Sequence, residues 1–337
     1  MFASRTRIRA LRRAVPLTAV AAAGLLGLTA CGGSGAAAGG KGGTEVVASF
    51  YPMAWLAQKV GGPDASVATL TKPGAEPHDL ELTPRQVADI GEADFALYVK
   101  GVQPAVDKAV EQHAKDKSLD AASVVKTLPA PSGGDEHEHG HEGGHEEGHE
   151  EGHAEDEHGH EEAEVSYDPH VWLDPSRMAT IATALGERLA AADSAHAAGY
   201  TSRAQSLAAE LGRLDQQLRD GLKSCKRTTI VTAHAAFGYL ADRYGLKQVS
   251  IAGVDPSNEP SPARLGELSR EIKAAGATTV FTETLVSPKV AETLAREAGV
   301  RTAVLDPVEG VKEGSGDDYL TVMRRNLGTL RSALECS

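Results

Sequence analysis

The chain has 337 residues and a formal net charge of −13, with 47 acidic against 34 basic side chains. Fourteen of the acids lie in a histidine-rich tract over residues 135–164, and five of the bases lie in the first thirteen residues, so the folded remainder is only weakly acidic. This balance, without a basic stripe interleaved with aromatic residues, argues against nucleic-acid binding. About 260 residues remain to fold, enough for one large domain or two lobes.

The first thirty residues have the parts of a secretory signal. Five arginines precede an apolar stretch that ends in Leu-Thr-Ala-Cys at Cys31, and this ending resembles the lipobox of bacterial lipoproteins. We therefore expect residues 1–30 to be removed, Cys31 to be lipidated, and residues 31–44 to form a flexible tether. A secreted protein cut after Ala30 and an uncleaved anchor are the alternatives, although the stretch is short for a membrane span.

Between residues 45 and 175, short apolar runs alternate with helical patterns. Strands are predicted at residues 46–49, 67–70, 95–99 and, more weakly, 123–126. Residues with helical apolar spacing follow each of the first three runs. This alternation predicts a lobe with a mostly parallel sheet that helices cover on both faces.

A histidine- and glutamate-rich loop over residues 131–165 interrupts this lobe. It contains eight of the thirteen histidines: His137, His139, His141, His145, His149, His153, His158 and His160. Because it has almost no apolar side chains, we expect a disordered, solvated loop. Imidazole and carboxylate are ligands that first-row divalent metals prefer, so the tract indicates weak zinc binding. Its HExxH-like repeats do not indicate a protease, because glycines disrupt the helix that this motif needs.

Helical patterns and then a second alternating region follow the tract. Leucines at helical spacing over residues 176–224 predict a linking helical segment. Over residues 225–337, strands are predicted at 228–232, 248–252, 278–281 and 302–305, with a closing helix at 317–334. The sequence therefore predicts an α/β fold of two lobes with parallel β-sheets flanked by helices, joined by a long rigid helix.

Two cysteines, Cys225 and Cys336, remain besides the one in the signal region. Outside the cytoplasm two free thiols tend to pair, so we favour a disulfide between them. A metal site made by both is the alternative, although neither has a CxxC partner.

Five histidines lie outside the tract, and three of them follow predicted strands or precede helices. These three are His78, His170 and His234, and Asp306 also follows a predicted strand. Open α/β folds place ligand sites at the carboxyl ends of parallel strands. Since three neutral imidazoles and one carboxylate make a tetrahedral zinc set, we predict a zinc site from these four residues, with Glu283 as an alternative carboxylate.

The remaining residues of interest have lesser predicted roles. His113 and His196 lie in polar helical stretches, and we expect both to be solvated surface residues. We expect Asp79 or Glu283 to orient a metal-binding imidazole by contacting the imidazole and not the metal.

Five segments of the chain form a recognisable series of motifs. They read GAEPHDLELTP, DPHVWLDP, TAHAAFGYLADRYGL, EPSPARLGELSREIKAAG and SPKVAETLAREAGVRTAVLDP. In this order they resemble the zinc- and manganese-type solute-binding proteins of bacterial ABC importers, from about residue 45 to the C-terminus. The resemblance implies a metal in the cleft between the lobes, with His78, His170, His234 and Asp306 as ligands. The histidine-rich insertion, and His234 where manganese members tend to have glutamate, indicate the zinc branch.

The resemblance also implies a function and partners. We expect a protein that captures zinc and delivers it to the permease of an ABC importer, which works with its own ATPase. It would be a lipid-anchored monomer at the cell surface or on the periplasmic side of the cytoplasmic membrane, and not an enzyme. Two other classes stay open: a zinc-dependent hydrolase with three histidines, a bound water and Glu283 as base, and a surface zinc store that acts through the tract alone.

Overall fold

The computed structural model describes residues 43–131, 165–258 and 260–337. The first lobe contains a four-stranded parallel sheet in the order β2-β1-β3-β4. Its strands are β1 (Thr44–Ala48), β2 (Ala65–Thr69), β3 (Phe95–Tyr98) and β4 (Ser118–Asp120). Its helices are α1 (Tyr51–Gly61), α2 (Pro84–Glu92) and α3 (Pro104–His113).

The apolar residues of β1 explain why helices cover both faces of this sheet. Val46 and Ala48 belong to the core that contains α1, whereas Val47 packs in a second core with Ile90 of α2 and Val110 of α3. Successive side chains of a strand point to opposite faces, so a continuous apolar run gives a strand that is buried on both sides.

The weak fourth strand predicted at residues 123–126 is wrong. The fourth strand is β4, and residues 121–124 form a 3₁₀ turn directly after it. Asp120 begins this turn, since its carboxylate accepts the backbone N–H of Ala122 at 3.0 Å. The Ser-Leu-Asp sequence of β4 has little of the β-branched character by which strands are recognised.

Two helices, rather than one, connect the sheets. They are α4 (Pro175–Ala192) and α5 (Ala197–Leu222), which pack against each other as a hairpin. Asp174 caps α4 by accepting the N–H groups of Ser176 and Arg177. The 26-residue α5 contacts α1 of the first lobe and the last helix of the second.

The second lobe repeats the architecture of the first. Its parallel sheet has the order β6-β5-β7-β8, with β5 (Thr229–Thr232), β6 (Lys247–Ser250), β7 (Thr279–Thr282) and β8 (Arg301–Val304). Its helices are α6 (Gly238–Tyr244), α7 (Pro262–Ala274), α8 (Lys289–Ala298) and α9 (Tyr319–Ala333). Two parallel-sheet lobes flanked by helices confirm the predicted fold class.

Aromatic side chains connect the two lobes through one shared core. Trp172, just before α4, donates its indole N–H to the backbone oxygen of Pro307 in the second lobe at 2.8 Å. Tyr319 of α9 donates its hydroxyl to the backbone oxygen of Trp172 at 2.6 Å and stacks on Trp55 of α1. Since all three rings are buried, these contacts fix the lobes relative to each other.

A disulfide joins Cys225 to Cys336, the pairing that the sequence favoured. The two residues are 111 positions apart, so the bond ties the start of the second lobe to the end of the chain. A closed loop of this length contributes about 4–5 kcal/mol to stability in the chain-entropy model.

The signal segment, Cys31 and the eight histidines of the tract lie outside the described residues. Within the ranges that the structure describes, no helix combines the length and the apolar character required to cross a membrane.

Candidate metal centre

Four side chains, two from each lobe, converge on one point. His78 lies in the loop between β2 and α2, and His170 directly precedes the 3₁₀ turn before α4. From the second lobe, His234 follows β5 and Glu309 follows β8. Segments that follow the parallel strands β2, β5 and β8 thus supply His78, His234 and Glu309, in the position where such sheets place their ligand sites.

The Nε2 atoms of the three imidazoles face a single carboxylate oxygen. Oε1 of Glu309 lies 3.3 Å from Nε2 of His234, 3.6 Å from that of His78 and 3.8 Å from that of His170. The four ligand atoms all lie within 4.8 Å of one another. Tetrahedral zinc, with bonds of about 2.0–2.1 Å, separates neighbouring ligand atoms by about 3.3–3.4 Å. The spacing therefore fits four-coordinate zinc after small side-chain adjustments.

These four atoms are buried and have no hydrogen-bond partner among the described residues. The side chains of His170 and His234 are fully buried, and that of Glu309 is 1% exposed. Buried polar atoms are nearly always paired, because leaving one unpaired costs about 1–3 kcal/mol. Four such atoms directed at one position indicate a cluster built to bind a cation.

Carboxylates behind two of the imidazoles fix their orientation. Oδ1 of Asp168 lies 2.7 Å from Nδ1 of His170 and accepts the backbone N–H of the same residue at 2.9 Å. Glu283 holds His234 in the same way, at 2.7 Å from Nδ1 and 3.1 Å from the backbone nitrogen. A carboxylate at Nδ1 keeps the proton there and leaves Nε2 free for a metal.

The sequence anticipated one of these two carboxylates. Of the three roles predicted for Glu283, the structure places it in the orienting one, whereas Asp79 is exposed. Asp168 was not anticipated. Its place in Asp-Pro-His, two residues before His170, is the signal that could have identified it.

The charges in the cluster shift its pKa values in opposite directions. Burial lowers the pKa of His170, and Asp168 offsets this only in part. Burial also lowers the pKa of His234, but the carboxylates of Glu283 and Glu309 outweigh it and raise that pKa well above its ordinary value. Burial raises the pKa of Glu309, yet its interactions with His234 and His78 lower it overall. A buried carboxylate needs a compensating charge, so we expect zinc to compete with protons for this cluster.

Asp306 does not join the cluster, and its prediction as the fourth ligand is wrong. Its Oδ1 accepts the backbone N–H of Val308 at 2.8 Å, and its Oδ2 accepts the hydroxyl of Thr284 at 3.1 Å. Glu309, three residues further along, supplies the carboxylate instead. The chain turns after β8, so the second acid of Asp-Pro-Val-Glu reaches the imidazoles and the first does not.

His113 and His196 lie away from this cluster. His113 is exposed at the end of α3. The side chain of His196 is 38% exposed, and its Nδ1 lies 2.6 Å from Asp193. Both positions agree with the surface roles predicted from the polar helical stretches.

A family profile covers most of the chain. The profile of ZnuA, described as zinc-uptake complex component A, periplasmic, matches residues 46–333. The chain belongs to the ZnuA family. The matched range includes both sheets, apart from the first two residues of β1, and the four residues of the metal centre.

Other members of this family resemble the chain along most of its length. Zinc-binding protein AdcA of Streptococcus pyogenes is 37% identical over 300 residues, which are 86% of this chain and 56% of that protein. High-affinity zinc uptake system protein ZnuA of Bacillus subtilis is 34% identical over 326 residues, covering 94% of this chain and 96% of that protein. The solved structure of Zn(II)-bound AdcA from Streptococcus pneumoniae has a TM-score of 0.70 at 31% identity, covering 87% of this chain and 58% of that one. The chain thus spans little more than half the length of the AdcA relatives.

Replacing Glu283 by glutamine is expected to weaken zinc binding by about ten- to a hundredfold, because the His234 imidazole loses the charge that fixes its tautomer. Competition with a chromophoric zinc chelator measures this effect. Glu297→Gln, at an exposed position of α8, is the matched control and should bind as the wild type does. An unchanged affinity in the Glu283 variant would contradict the orienting role.

Proposed function

We propose that this ZnuA-family protein captures Zn²⁺ outside the cytoplasm and delivers it to an ABC importer. The observation that supports this most strongly is the set of four buried, unpaired ligand atoms of His78, His170, His234 and Glu309, which face one another across the two lobes. The names of its relatives, a zinc-binding protein and a zinc uptake system protein, agree with this cargo.

The donor set favours zinc over manganese. Imidazole suits zinc, whereas manganese prefers carboxylate, carbonyl and water oxygens. Three imidazoles and one carboxylate at tetrahedral spacing match the four-coordinate geometry of zinc, and manganese would require a more open, oxygen-rich site.

The arrangement also favours capture over hydrolysis. A catalytic zinc keeps one coordination position for water and has a general base beside it. Here Glu309 provides a fourth protein ligand, and Glu283, the candidate base of a hydrolase, is held by both Nδ1 and the backbone N–H of His234. A closed set of protein ligands suits a protein that binds zinc and releases it unchanged.

Delivery requires partners and a location at the membrane. We propose a permease and its ATPase as the partners, and a monomeric, lipid-anchored protein facing them. Lipidation at Cys31 would provide the anchor, in line with the zinc-binding lipoprotein AdcA of Streptococcus pneumoniae among the relatives.

Cys31→Ala should move the protein from the membrane to the soluble fraction, and continued membrane retention would favour an uncleaved anchor.

The experiment that tests the function is growth under zinc limitation. A host strain that lacks its own zinc-binding protein is complemented with the wild-type chain, with His170→Ala, or with the surface variant His113→Ala, in medium containing a zinc chelator. The wild type and His113→Ala should restore growth, and His170→Ala should not. Equal growth with all three would contradict zinc capture at this site.

The histidine-rich tract supports a second, weaker role in metal collection. In the sequence, the tract ends six residues before His170, and Pro129 and Tyr167, on either side of it, form a backbone bridge. Weak sites tethered so close to the main one raise the local zinc concentration without tight binding.

Deleting residues 135–164 should therefore lower the zinc stoichiometry to about one ion per chain and leave the affinity of the tight site nearly unchanged. Equilibrium dialysis with metal analysis measures both quantities, and uptake should decline chiefly when zinc is scarce. Loss of tight binding in the deletion variant would mean that the tract supplies a ligand to the main site.

A further inference from the structure

The turn that carries Glu309 contains an unusual backbone conformation. Among the described residues that are not glycine, two have a positive φ: Val308, at 60°, and Glu335. Val308 is fully buried and branched at Cβ, and residues of this kind are rarely found in the left-handed region because Cβ approaches the backbone too closely. Strained residues of this sort persist only where their surroundings hold them, and they concentrate at functional sites.

Asp306 holds the strained residue directly. Its Oδ1 accepts the backbone N–H of Val308 at 2.8 Å, which closes a short turn two residues long. Its Oδ2 accepts the Thr284 hydroxyl at 3.1 Å, and Thr284 is the neighbour of the Glu283 that orients His234. Both oxygens of Asp306 are thus engaged in holding the turn.

Two further contacts fix the backbone of the same turn. Asn326 of α9, which is 2% exposed, accepts the N–H of Asp306 at 3.0 Å and donates its amide to the carbonyl oxygen of Asp306 at 2.7 Å. The Trp172 indole donates to the carbonyl oxygen of Pro307 at 2.8 Å. Residues 306, 307 and 308 are therefore each restrained by a side chain, and the next residue is the ligand Glu309.

We propose that Asp306 is a positioning residue of the zinc site, which keeps Val308 in the left-handed conformation and thereby directs Glu309 towards the three imidazoles. This inference rests on the proposed function. Without Asp306 the turn would relax towards a conformation that valine prefers, and the carboxylate of Glu309 would move away from the Nε2 atoms. Asp306 thus contributes to zinc binding without being a ligand.

The test compares two substitutions at position 306. Asp306→Ala removes the acceptor for the Val308 N–H, and zinc affinity should fall by about ten- to a hundredfold. Asp306→Asn keeps an oxygen acceptor at this point and should restore most of the lost affinity. The absorption spectrum of bound Co²⁺, which reports coordination geometry, should change in the alanine variant and return towards that of the wild type in the asparagine variant.

A double variant tests the strain itself. Glycine adopts a positive φ without steric cost. Adding Val308→Gly to Asp306→Ala should therefore recover part of the affinity lost in the single variant. If the double variant binds zinc no better than Asp306→Ala, the strained turn does not position Glu309.

Controls separate this proposal from effects on folding and from the proposed function. Asp120→Ala removes a similar turn-closing carboxylate at the end of β4, whose hydrogen bonds go to Lys100 and Ala122, and should leave zinc affinity unchanged. Thermal unfolding of each metal-free variant shows whether it is folded. If Asp306→Ala is unfolded, Thr284→Val replaces it, with an expected loss of about threefold to tenfold for one hydrogen bond.

The outcomes are distinguishable. If Asp306→Asn binds zinc as weakly as Asp306→Ala, Asp306 acts through its charge or as a ligand, and the positioning role is wrong. If Asp306→Ala, or Thr284→Val in its place, binds as the wild type does, the turn needs no support. If Glu309→Ala also binds as the wild type does, the metal centre itself is misassigned and the proposed function fails.

Discussion

Substituting His234 by alanine is expected to weaken zinc binding by about a hundred- to a thousandfold. The substitution removes one of four ligands, and the binding free energy of structural four-ligand zinc sites is about 10–16 kcal/mol. His78→Ala, His170→Ala and Glu309→Ala should have effects of similar size, since each removes one ligand atom of the same cluster. Competition with a chromophoric zinc chelator gives the four affinities, and thermal unfolding of the metal-free proteins shows that each variant is folded.

The chain provides matched controls for the histidine variants. His113→Ala and His196→Ala remove imidazoles that lie outside the cluster, and both should bind zinc as the wild type does. Asp306→Ala should weaken binding less than Glu309→Ala, because Asp306 holds the turn and Glu309 faces the metal. Equal losses for all five histidine variants would contradict the assignment of the site.

Zinc affinity is expected to fall as the pH is lowered. For each proton that zinc displaces, the loss should be about tenfold per pH unit. The carboxylates of Glu283 and Glu309 raise the pKa of His234 well above its ordinary value, despite burial, and Glu309 also raises that of His78. Protons therefore begin to compete with zinc while the solution is still near neutral, and the competition increases as the pH falls. Burial lowers the pKa of His170, so protons should compete with zinc for this ligand less than for the other two histidines.

Calorimetric titration with zinc between pH 6 and pH 8, in buffers of different ionisation enthalpy, measures the released protons. The wild type should release at least one proton per zinc near pH 7. Glu283→Gln removes one of the charges that raise the His234 pKa, so its proton release should shift to lower pH. An affinity that does not change over this range would contradict the proton-coupled site.

The sequence identified those parts of the fold that depend on local patterns. Continuous apolar runs such as Val46 to Ala48 predicted strands buried on both faces, and leucines at helical spacing over residues 176–224 predicted the linking helical segment. It missed β4, because Ser-Leu-Asp is a strand only through its pairing with β3, and this pairing depends on tertiary contacts.

The same limit explains the error at the metal centre. Each of the three histidine ligands lies in a short loop next to a predicted element. Their positions in the sequence were therefore enough to predict His78, His170 and His234 as ligands of one site. Glu309, which the sequence reasoning did not consider, replaces Asp306 in the cluster because of the direction of the chain after β8, where Val308 has a left-handed conformation. No local pattern predicts a positive φ at valine. Asp306, which accepts the Val308 N–H, is itself held by Thr284 and Asn326, which lie outside the turn.

X-ray absorption at the zinc edge is the measurement that tests the metal centre most directly. The sample is the chain without residues 135–164, loaded with about one equivalent of zinc, so that the tract does not contribute. The predicted result is four nitrogen or oxygen neighbours at about 2.0–2.1 Å, with the outer-shell scattering of three imidazoles. Two imidazoles, or five to six neighbours with bound water, would contradict a closed site made by His78, His170, His234 and Glu309.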